Sequence, residues 1–315
     1  MQKFSIEAVN LTKRYGAFTA LSDLNLRLEG TKCVGFLGPN GAGKTTTLKI
    51  FTDMIHASSG EARINGVDSH RNKKAALASC GTLIETPEIY PSLTPMEALS
   101  MVAEIKGVPA PERATDIRHA VETVKMNEWI DRKIGKFSKG MKQRINIAAA
   151  LIGNPSILLL DEPTSGLDPR GMSEVRDIIK NLKRENRLIF MSSHILSEVS
   201  EVCDEVAMIN HGILLTYGKL RDVIARFSGK SGSIIEVETL REASGVLLRR
   251  VARLGGVESV DRLASRKFNI KFSGSIIEQG KLLERLVRLR IGMVSFKQSS
   301  SALEDAYLNL FKETV

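Results

Sequence analysis

Cys33-Val-Gly-Phe-Leu-Gly-Pro-Asn-Gly-Ala-Gly-Lys-Thr-Thr-Thr47 is the stretch on which the fold turns. Residues 33–37 form a continuous apolar run, the composition of a strand buried on both faces. The run leads into a P-loop pattern: Gly38, Pro39, Asn40, Gly41, Ala42, Gly43, Lys44 and Thr45, with Thr46 next in line. The glycines allow backbone N–H groups to turn inward around phosphate oxygens. A helix starting near residue 45 adds the partial positive charge of its N-terminus. Lys44 offers a mobile cation to β- and γ-phosphates, and Thr45 offers a hydroxyl to Mg²⁺, so ATP and Mg²⁺ are the expected ligands. A buried strand before the loop and a helix after it distinguish this pattern from a chance glycine-rich turn.

Outward from this loop, strands and helices alternate. Residues 6–9 and 24–28 are strand signals, the second alternating apolar with polar. Residues 61–64 run into Asn65-Gly66, a tight-turn pair. Thr94-Pro-Met-Glu97 has the form of a capped helix start, and that helix should reach Lys106 before Gly107 stops it. A second helix opens at Pro109–Pro111. A third begins near Ser138 and ends at Gly153-Asn-Pro155. The apolar run 157–160, a helix capped by Asp168-Pro169 to about Asn186, and runs 188–192 and 206–210 resume the sheet. The expected class is α/β: a mostly parallel core sheet, N-terminal antiparallel strands and a helical insertion at 94–153. After Phe227, Ser-Gly-Lys-Ser-Gly-Ser reads as a linker. Beyond it, strands at 234–239, 257–263, 267–273 and 293–298 and helices at 242–254 and 276–288 give the order βαββαβ of a small ferredoxin-like α+β domain. Ser301-Ala-Leu-Glu304 caps a last helix at 302–311. The expected domains are 1–222, a linker at 223–233, and 234–315.

Composition bounds the function. The chain has 315 residues, 43% hydrophobic and 26% charged, as an ordinary globular protein has. Cys33, Cys80 and Cys203 form no CxxC pair, so they read as small buried hydrophobes in a reducing compartment rather than metal ligands. MQKFSIEAV lacks an apolar signal core, and no apolar run approaches the roughly 20 residues needed to span a bilayer. A cytoplasmic protein is expected, with any membrane role exercised through a partner. From Arg241 to Val315 there are 14 Lys/Arg and 8 Asp/Glu, so 14 − 8 = +6 of the net +9 lies there. These charges are spread over helices and strands and aromatics are sparse, which argues against nucleic acid as the partner.

Two further stretches carry chemistry. Ile157-Leu-Leu-Leu160-Asp161-Glu162 sets carboxylates at the end of a buried strand, where α/β sheets bind ligands. Asp161 is suited to Mg²⁺ and Glu162 to polarising an attacking water. Phe137-Ser-Lys-Gly-Met-Lys-Gln-Arg144 stands at a helix start, upstream of Asp161. It resembles the signature sequence of the ABC ATPases, and the resemblance extends over the first 220 residues or so. Thr164-Ser-Gly-Leu-Asp168 resembles that family's D-loop, His194 its switch histidine, and Tyr15 the aromatic that stacks on adenine. The resemblance implies ATP hydrolysis by paired chains. Ser138 and Gly140 of one chain, at a helix N-terminus, would close over the nucleotide held by the other, in a homodimer or a heterodimer.

Lys139 and Met141 depart from the family's usual glycine and glutamine. Glu85, in Leu83-Ile-Glu-Thr-Pro87, stands where the family has a glutamine. Both features resemble bacitracin- and lantibiotic-type exporter ATPases. A carboxylate at 85 would strengthen Mg²⁺ binding if it coordinates, and otherwise only hydrogen-bonds within its loop. The resemblance implies an export-type transporter whose transmembrane permease is a separate chain, with this chain peripheral on the inner membrane face. The alternative is a non-transport ABC ATPase acting on ribosomes or DNA, whose relatives generally carry two ATPase halves or a long coiled-coil insertion. A GTP switch is disfavoured, because the chain lacks an Asn-Lys-x-Asp base-reading sequence.

Overall fold

The computed structural model describes residues 4–85, 89–228 and 233–298. The chain divides into two compact units, Met1–Leu220 and Arg221–Val315.

The first unit holds two sheets. The smaller is built from β1 (Ser5–Tyr15), β2 (Phe18–Glu29), β4 (Ser59–Ile64) and β5 (Val67–Asp68), in the order β2-β1-β4-β5 and antiparallel throughout. The larger comprises β3 (Lys32–Leu37), β6 (Cys80–Leu83), β7 (Ile157–Leu160), β8 (Leu188–Ser193), β9 (Glu205–Asn210) and β10 (Ile213–Lys219). Its order is β10-β9-β3-β8-β7-β6. Every pairing in it is parallel except that of edge strand β10 with β9. The central strands β7, β8 and β9 are buried almost from end to end, with runs of apolar residues and polar ones only at the ends of β8 and β9. Phe36, Phe51 and Phe190 are buried at the centre, with ring centroids 5.1 and 6.4 Å apart for Phe36–Phe190 and Phe51–Phe190. Each such ring contributes about 1.5–3 kcal/mol on burial.

Helices α1 (Lys44–Phe51), α2 (Lys73–Leu77), α3 (Pro95–Ile105), α4 (Ala110–Thr123), α5 (Lys139–Leu151), α6 (Pro169–Lys183) and α7 (Leu196–Val202) complete this unit. Three of the caps read from sequence are present among the described residues. The hydroxyl of Thr94 accepts from Glu97 N–H at 3.2 Å and the Glu97 carboxylate accepts from Thr94 N–H at 2.8 Å. Ser138 accepts from Met141 N–H, and Asp168 from Gly171 N–H. α3, α4 and α5 form the expected helical insertion. The helix after Asp168 stops at Lys183, earlier than residue 186. Strands β6 and β10 carry too little pattern to be foreseen. The former, Cys-Gly-Thr-Leu, has no apolar run of the kind that marks β7, and the latter is a half-exposed edge. All three cysteines are buried and free.

Helix α8 (Leu220–Ser228) begins at the last residue of the first unit and takes up residues 223–228 of the stretch expected to be a linker. The second unit goes on with β11 (Ser233–Thr239), α9 (Gly245–Ala252), β12 (Val257–Ala264), β13 (Lys267–Phe272), α10 (Ile276–Arg288) and β14 (Met293–Gln298). The antiparallel order β12-β13-β11-β14 is that of a ferredoxin-like sheet. Ile235, Val237, Phe268, Ile270, Leu282 and Leu286 bury a core of its own. Glu242 does not start α9 as expected. Ser244 caps it instead, accepting from Leu247 N–H. The helix expected at 302–311 lies outside the described residues.

Candidate active site

β3 delivers its loop to the middle of the larger sheet, and the loop's shape rests on two glycines. A Cβ on Gly38 would meet the Ile209 carbonyl oxygen at 2.3 Å, so β9 and the loop approach only because no side chain intervenes. Gly43 has φ of 106°, a conformation that L side chains rarely adopt, and it forms the N-cap of α1 without any capping side chain. The first intrahelical bond runs from Thr47 N–H to the Gly43 carbonyl at 2.9 Å. The N–H groups of Lys44, Thr45 and Thr46 precede that bond and point off the helix end, a place made for an anion. Ala42 is buried and ties the loop to its neighbours: its N–H donates to Pro39 and its carbonyl accepts from Gly212 N–H at 2.9 Å.

Tyr15, Asn40, Gly41, Gly43, Lys44, Thr45, Thr46 and Glu162 line one cleft of about 250 Å³. Lys44 crosses the loop, donating to the carbonyls of Gly38 at 2.8 Å and Pro39 at 3.1 Å. Its side chain is only 4% exposed, and its ammonium lies 3.4 Å from Glu162 Oε1. The other carboxylate oxygen, Oε2, is 3.1 Å from His194 Nδ1. β3 pairs with β8, and β8 with β7, so three strand ends bring Lys44, Glu162 and His194 together. Asp161 is buried beside them. Ser192 joins the two acidic residues: its hydroxyl donates to Asp161 Oδ1 at 2.5 Å and accepts from Glu162 N–H at 2.9 Å. Glu162 sits at φ 43°, a left-handed conformation uncommon for a residue with a long side chain.

The sequence reading missed Ser192 and Phe18. Phe18 shares the cleft with Tyr15 because the two pair across the β1–β2 hairpin. Tyr15 is half exposed, with Lys13 Nζ 4.8 Å above its ring. The spacing Tyr-Gly-x-Phe was the available signal. Ser192 gave none, since its partners are set by strand pairing alone.

Ser138 and Gly140 do not reach this cleft. They line another, of about 460 Å³, with Trp129, Met141, Arg144 and Asp168 among its walls. The two regions are nonetheless mechanically linked. Gln143 of α5 donates to the Pro163 carbonyl at 2.7 Å, immediately after Glu162. The far end of α5 is closed by Lys106, which donates to the carbonyls of Ala149, Ala150 and Ile152 at 3.4, 3.1 and 2.8 Å. Burial lowers the Lys106 pKa to about 8, against the opposing pull of Asp116. Glu85 lies outside the cleft's lining. Its carboxylate is largely exposed and pairs with Lys49 on α1.

A phosphate-cradling loop at the end of a buried parallel strand, facing two acidic residues at the end of another, defines a P-loop ATPase. The family described as ABC transporter matches residues 21–165. A bacitracin transport ATP-binding protein of Bacillus licheniformis is 34% identical over 306 residues, covering 97% of this chain and 96% of that protein. A lantibiotic transport ATP-binding protein of Streptococcus pyogenes is 38% identical over 206 residues, 65% of this chain and 87% of that protein. A dimeric bacterial ABC transporter cassette of known structure aligns with a TM-score of 0.61 at 26% identity, covering 69% of this chain and 99% of that one. The chain belongs to the ATP-binding proteins of ABC transporters, and it is an ATPase. These relatives do not favour a ribosome- or DNA-acting enzyme. Among the described residues no helix is long and apolar enough to cross a membrane.

Proposed function

We propose that the chain is one of two ATPase subunits of an export-type transporter, driving a separate transmembrane permease from the inner membrane face. The observation that carries this reading is the presence of two anion-directed helix ends, at Gly43 and at Ser138, lining separate clefts of one chain. Each is half of a site, and head-to-tail pairing of two chains completes both. The resemblance to bacitracin and lantibiotic transport proteins supports the direction of transport.

In this reading the backbone of residues 38–46 and the Lys44 ammonium hold the phosphates, and Tyr15 stacks on adenine. Thr45 and Asp161 form an all-oxygen donor set suited to Mg²⁺, whose charge would offset that of the phosphates. Glu162 accepts a proton from water attacking the γ-phosphate, and His194 orients the Glu162 carboxylate and the transferring group. Ser138 and Gly140 of the partner chain close the site. Glu85 serves its loop through Lys49 rather than the metal.

Mixing two inactive variants tests the shared site. Ser138→Arg keeps its own phosphate loop but blocks the partner's site, and Lys44→Ala does the reverse. Mixed dimers then contain one site with both lesions and one with neither, so mixing should restore part of the hydrolysis. Ready hydrolysis by Ser138→Arg alone would refute the role of the signature helix. Absence of rescue in demonstrated mixed dimers would refute sharing between chains.

A further inference from the structure

A second constellation lies away from the ATPase machinery. Asp53 comes just after α1, His56 three residues later, and His70 sits in the turn after β5. One oxygen, Asp53 Oδ1, lies 3.1 Å from His56 Nδ1 and 3.0 Å from His70 Nδ1. The centroids of the two rings lie 4.2 Å apart, with the ring planes tilted by 53°. One atom from each residue falls within 4.8 Å of the other two. From the geometry, we propose that Asp53, His56 and His70 form a binding site for a divalent transition-metal ion of the Zn²⁺ class.

The chemistry fits such an ion. Two imidazoles and one carboxylate are borderline donors, which favour Zn²⁺ and its first-row neighbours over Mg²⁺ or Ca²⁺. Bonds of about 2.0–2.1 Å place neighbouring donors about 2.9–3.4 Å apart in octahedral or tetrahedral geometry. Both Oδ1–Nδ1 separations already lie in that range, and a modest turn of the two exposed rings would aim their nitrogens at a shared ion beside the oxygen. Each Nδ1 now gives its hydrogen to the carboxylate. Uptake of metal moves that hydrogen to Nε2, and the exposed rings present Nε2 to water, so no internal base is required. The ion's remaining positions open onto a cavity of about 320 Å³ bounded by these residues with Glu61, Asp68 and Arg71.

The frame is held before any ion arrives. Asp53 is mostly buried and adopts φ of 52°, a left-handed conformation uncommon for aspartate. Lys73 Nζ donates to the Asp53 carbonyl at 3.1 Å, and Lys13 Nζ to the His56 carbonyl at 2.7 Å. Asp68 Oδ1 accepts from the N–H groups of His70 and Arg71 at 2.9 Å, fixing the turn that carries His70. Lys73, 3.8 Å from Asp53 Oδ2, and Arg71 oppose a cation, while Glu61 and Asp68 favour one. A bound ion would clip the end of α1, the helix that begins at the phosphate loop, to the β4–β5 hairpin.

The test uses the untagged full chain freed of metal with a chelator, then titrated with Zn²⁺ and separately with Co²⁺ in excess Mg²⁺. The expected result is about one ion bound per chain, with visible Co²⁺ absorption of a nitrogen-ligated centre. His56→Gln and His70→Gln should each weaken binding at least about tenfold. Zn²⁺ should raise the thermal midpoint of the wild type but not of the variants. The sequence has five histidines. Ring NMR of the wild type needs no substitution and should show Co²⁺ perturbing two of them, assigned to His56 and His70, most strongly. Equal binding by wild type and both folded variants would overturn the proposal. So would Co²⁺ perturbation centred on His119, His194 or His211.

Discussion

Replacing Glu162 by glutamine removes a charge while keeping the side chain's size. The carboxylate now bridges Lys44 at 3.4 Å and His194 at 3.1 Å through different oxygens. An amide can accept through only one oxygen, so either Lys44 or His194 will face an N–H group. Neither defect touches the backbone of residues 38–46, so the phosphate cradle survives. Removing one negative charge beside Lys44 leaves the cleft more attractive to a polyanion. ATP affinity should therefore hold or rise. Hydrolysis should fall by about 10²–10⁴, the usual contribution of a positioned general base. That corresponds to about 2.7–5.4 kcal/mol of activation free energy at 1.36 kcal/mol per decade. Steady-state phosphate release and calorimetric ATP binding measure the two quantities separately. Size exclusion should show an ATP-dependent dimer accumulating in the variant. Turnover within tenfold of wild type would remove Glu162 from the role of base. A large loss of ATP affinity would show that it serves binding instead.

Three other outcomes rest on particular contacts. Gly38→Ala places a Cβ 2.3 Å from the Ile209 carbonyl oxygen, so it should lower both the thermal midpoint and ATP affinity. Unchanged values in both would mean that β9 and the loop can separate freely. Folded Lys106 loses its proton near pH 8, whereas in the unfolded chain it keeps it to its ordinary value of 10.5. The unfolded state then holds more protons between those limits, so this residue's contribution to stability rises with pH across that window. Chemical denaturation of wild type and Lys106→Met from pH 7 to 10.5 should show the difference moving in favour of wild type, and an opposite slope would refute the assignment. A fragment of residues 1–222 should fold and bind ATP, because the sheets and cleft of the first unit are complete before residue 221. Circular dichroism and ATP titration check it, and an unfolded fragment would show that the boundary is misplaced.

The legible parts of this protein are those governed by neighbours in sequence. The loop 38–45, the buried runs of β3 and β7 and the caps Thr94, Ser138 and Asp168 could be read from residue order alone. A cap acts over three residues and a strand's burial writes itself into successive side chains. The same local physics made the βαββαβ order of the second unit readable. Strand order is different, because hydrogen bonding between β3, β8 and β7 depends on which segments meet, not on any pattern within one of them. That order sets Glu162 and His194 beside Lys44, although 118 and 150 positions separate them from it in sequence. It also enlists Ser192 and sends Glu85 to Lys49, while packing of the β4–β5 hairpin against the end of α1 brings His70 to the oxygen that His56 already meets. Sequence determined what each segment could do: bind phosphate, bury itself or begin a helix. The tertiary structure decided which of those capacities share a cleft, because side chains from distant segments meet only where packing of the whole sheet brings their strand ends together.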